Sequence, residues 1–267
     1  MESIWTRIAL RIWVVLVLLF LFIPILLIFF YAFNTSNIES WPIPGLTTKW
    51  FLSTWNDDNV RAALVVSLQA GLAATAIALV LGSCAAFAIH RAKFFGREVI
   101  SLLFVLPLAL PGIITGISLN AFFSFNNISL SLLTIVVGHT TFCIVVVYNN
   151  VLARLRRTQG SLIEAAMDLG ANGIQTFRDI TLPLISTAVV AGSMLAFALS
   201  FDEVIVTTFT AGAQSTLPIW IFGQIRHGVL LPEVNVVVSF VILVTIIPVA
   251  VAARLTGGGA ARVPAAR

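Results

Sequence analysis

The sequence predicts an all-α polytopic membrane protein, and this expectation rests on composition, on long apolar runs and on the placement of basic residues. The chain has 267 residues, of which 59% are hydrophobic and only 10% are charged. A soluble domain of ordinary composition carries about 25% charged residues. We therefore expect the bilayer to be the solvent, and a single transmembrane domain to occupy residues 1–267.

Six apolar runs are long enough to cross the hydrocarbon core, which takes about 20 helical residues. They lie at residues 12–33, 62–89, 99–119, 130–152, 183–201 and 234–255. The first run is too long for the apolar region of a cleaved signal peptide, so we interpret it as a span. The third run contains Pro107, Pro111 and Gly112, which predict a bent or locally unwound helix.

Basic residues predict the orientation of these spans. Six spans put both termini on one face, and that face would carry twelve of the 15 Lys and Arg residues, namely Arg7, Arg11, Arg91, Lys93, Arg97, Arg154, Arg156, Arg157, Arg178, Arg254, Arg262 and Arg267. The other face has only Lys49, Arg61 and Arg226. Because cytoplasmic loops are enriched in Lys and Arg, we predict that both termini are cytoplasmic.

Several features indicate what the chain does not do. Its basic residues are scattered among short loops rather than arranged in one stripe, which argues against nucleic-acid binding. Cys84 and Cys143 fall inside apolar runs without the spacing of a metal site, so we predict small buried side chains and no metal. The Gly- and Ala-rich tail at 257–267 is predicted to be disordered.

The loop at residues 34–61 is predicted to lie on the outer face. It contains two prolines and three tryptophans, Trp41, Trp50 and Trp55. Tryptophan is enriched at the boundary between lipid and water. We therefore expect this loop to lie against the outer leaflet.

The longest cytoplasmic loop, at about residues 153–182, is predicted to begin with a short helix. Ser161 and Glu164 have the spacing of a capping box, and Gly170 supplies a stop signal. Between them an apolar face is expected from Leu162, Ala165, Ala166 and Leu169.

A second short helix is predicted to follow in the same loop. Asn172 and Gln175 repeat the start signal, and the helix should end near Leu182, because Pro183 disfavours helical conformation in the residue before it. The two helices would form a knob with an apolar stripe. That stripe must be buried either on another protein or on the cytoplasmic ends of the chain's own helices.

The spacing of residues in this loop resembles the EAA signature of ABC import permeases. The matching residues are Glu164, Ala165, Ala166, Gly170, Ile180, Leu182 and Pro183. Several residue types at set intervals, within a chain of six predicted spans, make a specific signal. The resemblance implies the fold of a type I ABC importer permease in the bacterial inner membrane.

The resemblance also implies partners and an energy source. The knob would be the coupling helix that sits on a cytoplasmic ATPase subunit, and two such subunits would serve a pair of related permeases and an external solute-binding protein. This chain contains no GxxxxGK[ST] loop, so ATP and Mg²⁺ would be bound by the partner ATPases. No covalent chemistry is expected of this chain.

Three segments resemble the spermidine/putrescine-type branch of these permeases: residues 45–51 (GLTTKWF), 138–142 (GHTTF) and 201–204 (FDEV). A polyamine-like solute is therefore expected. An opine, a phosphonate or an amino-acid derivative are alternatives, because the external protein largely selects the solute. An ion-coupled secondary transporter would need an internal repeat and midplane carboxylates, which the sequence does not show convincingly.

Polar residues in or near the spans are candidates for the solute pathway. Asp202 and Glu203 follow the fifth span, or lie within it if the helix continues to Thr210, and paired carboxylates there suit a cationic solute. They could instead form a solvated helix end, pair with Arg226 or cap backbone amides. His139, near the middle of the fourth span, either lines the pathway or is a neutral imidazole bonded to a neighbouring helix.

Overall fold

The computed structural model describes residues 3–91, 95–228 and 230–257, and these residues form an all-helical structure. The helices are α1 (Ile4–Tyr31), α2 (Lys49–Asn56), α3 (Asp58–Arg91), α4 (Arg97–Ala109), α5 (Gly112–Phe125), α6 (Leu132–Arg157), α7 (Gly160–Asp168), α8 (Gly173–Thr176), α9 (Leu182–Phe201), α10 (Ile205–Thr210), α11 (Leu217–His227) and α12 (Leu231–Gly257). Lys93 and the tail at 258–267, with Arg262 and Arg267, lie outside the described residues.

Four helices are long and apolar enough to cross a bilayer: Ile4–Tyr31, Asp58–Arg91, Leu132–Arg157 and the continuous stretch Gly173–Phe201. The pair α4 and α5 would make a fifth span, bent by 94°. Within the described residues, α12 contributes the shorter apolar stretch Leu231–Ile246. Length and composition therefore support four or five of the six predicted spans.

The predicted break in the third span is confirmed. Helix α4 ends at Ala109, Leu110 is extended, and Pro111 precedes the first residue of α5. Proline has no N–H to donate to the preceding turn and its ring crowds that turn, so the helix stops and restarts with a new direction.

The chain divides into two compact units, and residues 62–220 form one of them. Helix α6 lies at its centre, with thirteen buried residues. Gly82 of α3 lies so close to α6 that an added Cβ would be 2.9 Å from the carbonyl oxygen of Ile144. Tyr148 of α6 is fully buried, hydrogen-bonds to Ser101 at 2.7 Å and stacks on Phe104. Small residues thus allow close helix packing around α6.

Cys143 confirms the expectation of a small buried side chain, whereas Cys84 is exposed. The Cys143 thiol points at the carbonyl oxygen of Ala196, 3.3 Å away. Every fourth residue of α3 from Ala70 to Ala86 is buried, and these residues form one face of the helix. Cys84 lies about half a turn away from that face. The expectation for Cys84 was wrong because hydrophobicity alone does not say which face of a helix is packed.

The described residues of 1–61 and 221–257 form the other unit. Trp50 in α2 is buried, and its indole N–H donates to the carbonyl oxygen of Asn34 at 2.6 Å. Trp41 and Trp55 are exposed. The ring of Trp50 therefore packs inside the protein, where its polar edge has a partner, and the placement of the loop against the outer leaflet stays a prediction.

Candidate coupling loop and solute pathway

The first helix of the predicted coupling loop begins two residues earlier than expected, at Gly160 rather than Leu162. Its N-cap is Gln159 and makes no side-chain capping bond, so the predicted box of Ser161 and Glu164 does not form. Since α7 starts at Gly160, Ser161 already lies within the first turn and cannot act as the cap. Glu164 is exposed instead.

The end of this helix confirms the role of Gly170 as a stop. Gly170 has φ +89°. Its N–H donates to the carbonyl oxygen of Met167 at 2.9 Å, and the N–H of Ala171 donates to the carbonyl oxygen of Ala166 at 3.0 Å. This pair of bonds is a Schellman motif, which satisfies the last carbonyls of a helix. A positive φ at this position favours glycine because other residues place Cβ against the backbone.

The second helix starts as predicted but does not end where predicted. The side chains and backbone amides of Asn172 and Gln175 bond reciprocally at 2.9 Å. A π-helical turn, Phe177–Thr181, then joins α8 to α9, and the N–H of Leu182 donates to the carbonyl oxygen of Phe177. In a π-helical turn each N–H bonds to the carbonyl oxygen five residues earlier instead of four. This shift changes which carbonyl oxygens lack a donor when Pro183 supplies no N–H, so the helix can continue through Pro183.

The surface of this loop carries large apolar side chains that the described chain does not cover. Leu169 is 90% exposed and Ile174 is 80% exposed, and Leu162, Met167 and Phe177 are also exposed. Ala166, Thr176 and Thr181 are buried beneath them. Of the other residues that match the EAA signature, Ile180 is half-buried and the exposed ones are Ala165, Gly170, Leu182 and Pro183. We call residues 160–181 the coupling knob.

Helices α9 and α10 are separated by residues 202–204, which contain both candidate carboxylates. We call these three residues the acidic turn. Asp202 is exposed, and its backbone N–H donates to the carbonyl oxygen of Ala198. Glu203 is half-buried, and its carboxylate Oε1 accepts the N–H of Val206 at 2.9 Å. The two carboxylates therefore have different environments: that of Glu203 caps α10, whereas that of Asp202 faces outward.

His139 lies in the core of α6 and is 1% exposed. Its Nδ1 is 2.7 Å from Ser200 Oγ in α9, and its Nε2 is 2.8 Å from Thr207 Oγ1 in α10. The ring therefore bonds to neighbouring helices in this conformation, which is the second of the two expectations for it. Sequence reasoning did not identify Thr207, because one threonine in an apolar run gives no signal of its partner.

Helix α10 is embedded between α5 and α6. Its last carbonyls accept side-chain donors: Asn120 Nδ2 donates to Phe209 and Thr134 Oγ1 donates to Thr210, each at 2.7 Å. These donors occupy carbonyls that no further helical turn would satisfy. The acidic turn is thus followed by a short helix that is held at both ends.

These features define a helical membrane subunit with an uncovered apolar knob and a broken helix beside a polar cluster. Residues 78–257 match the family described as "Binding-protein-dependent transport system inner membrane component". Because the match covers more than half of the chain, this protein belongs to that family. Membership makes it a permease component of an ABC importer and implies ATPase and binding-protein partners.

Two relatives and one solved structure illustrate the similarity. The putrescine transport system permease protein PotI of Escherichia coli K12 is 35% identical, over 86% of this chain and 85% of its own. The spermidine/putrescine transport system permease protein PotC of Haemophilus influenzae is 32% identical, over 89% and 92%. A bacterial ABC transporter involved in the import of alginate has the same fold, with a TM-score of 0.68, 16% identity and coverage of 97% and 99%.

Proposed function

We propose that this chain is one of two related permease subunits that form the translocation pathway for a small polyamine-like cation. Alternating access would be driven by two cytoplasmic ATPase subunits that bind ATP and Mg²⁺, and an external protein would deliver the solute. The observation that carries the proposal is the match to the importer family together with the uncovered coupling knob. The names of the similar proteins support the choice of solute.

We propose six spans with both termini in the cytoplasm. The four or five spans that meet the length criterion leave α12 as the remaining one, and the distribution of Lys and Arg orients the set. In this orientation the coupling knob is cytoplasmic and the acidic turn, which follows the opposite end of α9, is on the outer side.

The coupling knob is proposed to seat on a cytoplasmic ATPase subunit. Leu169 and Ile174 project side chains that would remain in water if nothing covered them. Burying an apolar side chain of this size contributes about 1.5–3 kcal/mol. The internal alternative, packing on the chain's own helices, accounts for Ala166, Thr176 and Thr181 but leaves those two large side chains exposed.

The acidic turn is proposed to receive the cationic solute through Asp202. Its carboxylate is exposed, whereas that of Glu203 already accepts a backbone N–H. A carboxylate at the mouth of a pathway raises the local concentration of cations, and its attraction strengthens where water is partly excluded. Asp202 thus carries the charge recognition, and Glu203 shapes the turn.

Paired substitutions in the assembled, reconstituted importer test this assignment. Asp202→Asn keeps the shape and removes the charge, and uptake of putrescine should fall by about 10–100-fold, the range expected for losing a charged hydrogen bond. Glu203→Gln retains an oxygen that accepts the Val206 N–H, so uptake should change less than about threefold. Equal amounts of assembled complex are the control. Unchanged putrescine uptake in Asp202→Asn would refute the role.

The solute class has its own test. The neighbouring genes are searched for a secreted solute-binding protein, and the affinity of the purified protein is measured for putrescine, spermidine, an opine, a phosphonate and amino-acid derivatives. Selective binding of a polyamine supports the proposal. Selective binding of a zwitterion or an anion would replace the polyamine with that solute and would leave the permease assignment intact.

A further inference from the structure

One imidazole ring joins the two sides of the helix break that contains the acidic turn. Ser200 lies in the last turn of α9 and Thr207 in α10, and both hydroxyl groups are fully buried against His139 of α6. The ring thus bridges two helices that the chain itself connects only through residues 202–204. Close contact between α6 and α10 reinforces this, since a Cβ on Gly138 would be 3.1 Å from Val206.

The hydrogen-bond directions in this cluster are determined by one fixed acceptor. Thr207 Oγ1 donates its proton to the carbonyl oxygen of Glu203 at 2.7 Å. Its oxygen can therefore only accept from the ring, which assigns a proton to Nε2 of His139. In the neutral ring Nδ1 then accepts the Ser200 hydroxyl proton. The resulting series of bonds runs from Ser200 through His139 and Thr207 to the backbone of Glu203.

Glu203 is held at two points, and this series supplies one of them. Thr207 bonds its carbonyl oxygen, and the Val206 N–H bonds its carboxylate. Because both the main chain and the side chain of Glu203 are held, the conformation of the acidic turn is restricted. Asp202, the preceding residue, is restricted with it.

We propose that His139 is a positioning residue, which orients Thr207 and thereby holds the acidic turn in the conformation that presents Asp202 to the solute. Its consequence for transport rests on the proposed function, whereas its effect on the order of the turn does not. His139 itself does not touch the solute. The ring is fully paired and enclosed by protein in this conformation, which suits support rather than contact.

The first test measures the order of the turn without any transport. A spin label is attached to Asp202→Cys in a Cys84→Ser background, because Cys84 is exposed whereas Cys143 is buried. Thr207→Val removes the bridging hydroxyl at nearly constant volume. Thr208→Val is the matched control, since the exposed Thr208 hydroxyl bonds only the local Val204 carbonyl, at 2.8 Å.

Substitutions at His139 separate its two bonds. The amide nitrogen of His139→Gln corresponds to Nε2 and retains the bond to Thr207, whereas that of His139→Asn corresponds to Nδ1 and does not. We expect the label to become more mobile in Thr207→Val and His139→Asn, and to match the parent in Thr208→Val and His139→Gln. Should His139→Asn fail to assemble, Thr207→Val still tests whether the bridge orders the turn. An unchanged spectrum in Thr207→Val would overturn the proposal.

The second test measures solute moved per ATP hydrolysed, with Asp202 restored. Thr207→Val and His139→Asn should lower this ratio by about tenfold, the effect of losing one buried hydrogen bond, with complex assembly unchanged. In an Asp202→Asn background Thr207→Val should add less than about twofold, because both act through the same turn. If Thr207→Val causes a further tenfold loss in the Asp202→Asn background, the two residues act independently and the positioning role is overturned. A null effect of Asp202→Asn alone would refute the proposed role of Asp202 in receiving the solute, while the label spectra still decide the role of His139.

Discussion

Replacing Gly170 by alanine isolates the backbone conformation of the coupling knob from its packing. An added Cβ at Gly170 would meet no atom within 4 Å, so the substitution creates no clash. The cost comes only from φ +89°, which for a non-glycine residue is about 1–2 kcal/mol. That cost corresponds to about a 5–30-fold shift in population away from the Schellman turn.

Two other glycines in the same knob supply matched controls. Added Cβ atoms at Gly160 and Gly173 would also meet nothing within 4 Å, and neither residue has a positive φ. Alanine at these helical positions should be neutral or stabilising by less than ~1 kcal/mol. The three variants therefore differ in backbone requirement and in little else.

The assay is binding of the partner ATPase to the membrane subunits in nanodiscs, followed by ATP-driven uptake. Gly170→Ala should weaken ATPase association by about 5–30-fold and reduce uptake, because the docking-competent turn is less populated. Gly170→Asn should lie between alanine and the wild type, since asparagine tolerates the left-handed region. If Gly170→Ala binds the ATPase as tightly as Gly173→Ala does, the reasoning fails.

Three further predictions concern the rest of the chain. Leu169→Ser and Ile174→Ser should leave the subunit inserted but weaken ATPase association by at least about tenfold each, measured by the same binding assay; full retention would contradict docking by the knob. Gly116→Ala should lower the melting temperature of the complex, because its Cβ would be 2.6 Å from the Phe209 ring, whereas Gly112→Ala makes only ordinary contacts and should not. Reporter fusions are placed at Trp50, Phe95, Asn126, Asn172 and Gln224. Successive reporters should alternate between the two faces of the membrane, with the first one outside. A reporter at Asn172 on the outer face would refute the topology.

The coupling knob shows how far local patterns reach. Two helix start signals were predicted there, and the one at Asn172 and Gln175 forms, as a capping box, while the one at Ser161 and Glu164 does not. Both have suitable residues at suitable spacing. The difference arises because α7 begins at Gly160, so the potential cap lies inside the helix. The residue at which a helix starts, here Gly160 rather than Leu162, depends on contacts along the whole loop, which spacing does not encode.

Pro183 shows a second limit of local reasoning. Its usual effect on the preceding residue predicted a helix end near Leu182. Tertiary packing instead keeps the helix continuous through a π-helical turn, with Thr181 buried inside the protein. The residue before a proline is disfavoured from the helical region but not barred from it, and Leu182 adopts φ −62° and ψ −45°.

Composition, apolar run length and motif spacing by themselves determined that this protein is a helical membrane subunit, where its third span breaks, and which loop carries the coupling signature. Those properties depend on residues near one another in the chain. Only the tertiary structure decided that Cys84 faces outward, that Glu203 caps α10 while Asp202 remains exposed, and that His139 joins Ser200 and Thr207. These partners lie 61 and 68 residues from His139, and helix packing, which arises from the whole chain, brings them within hydrogen-bonding distance.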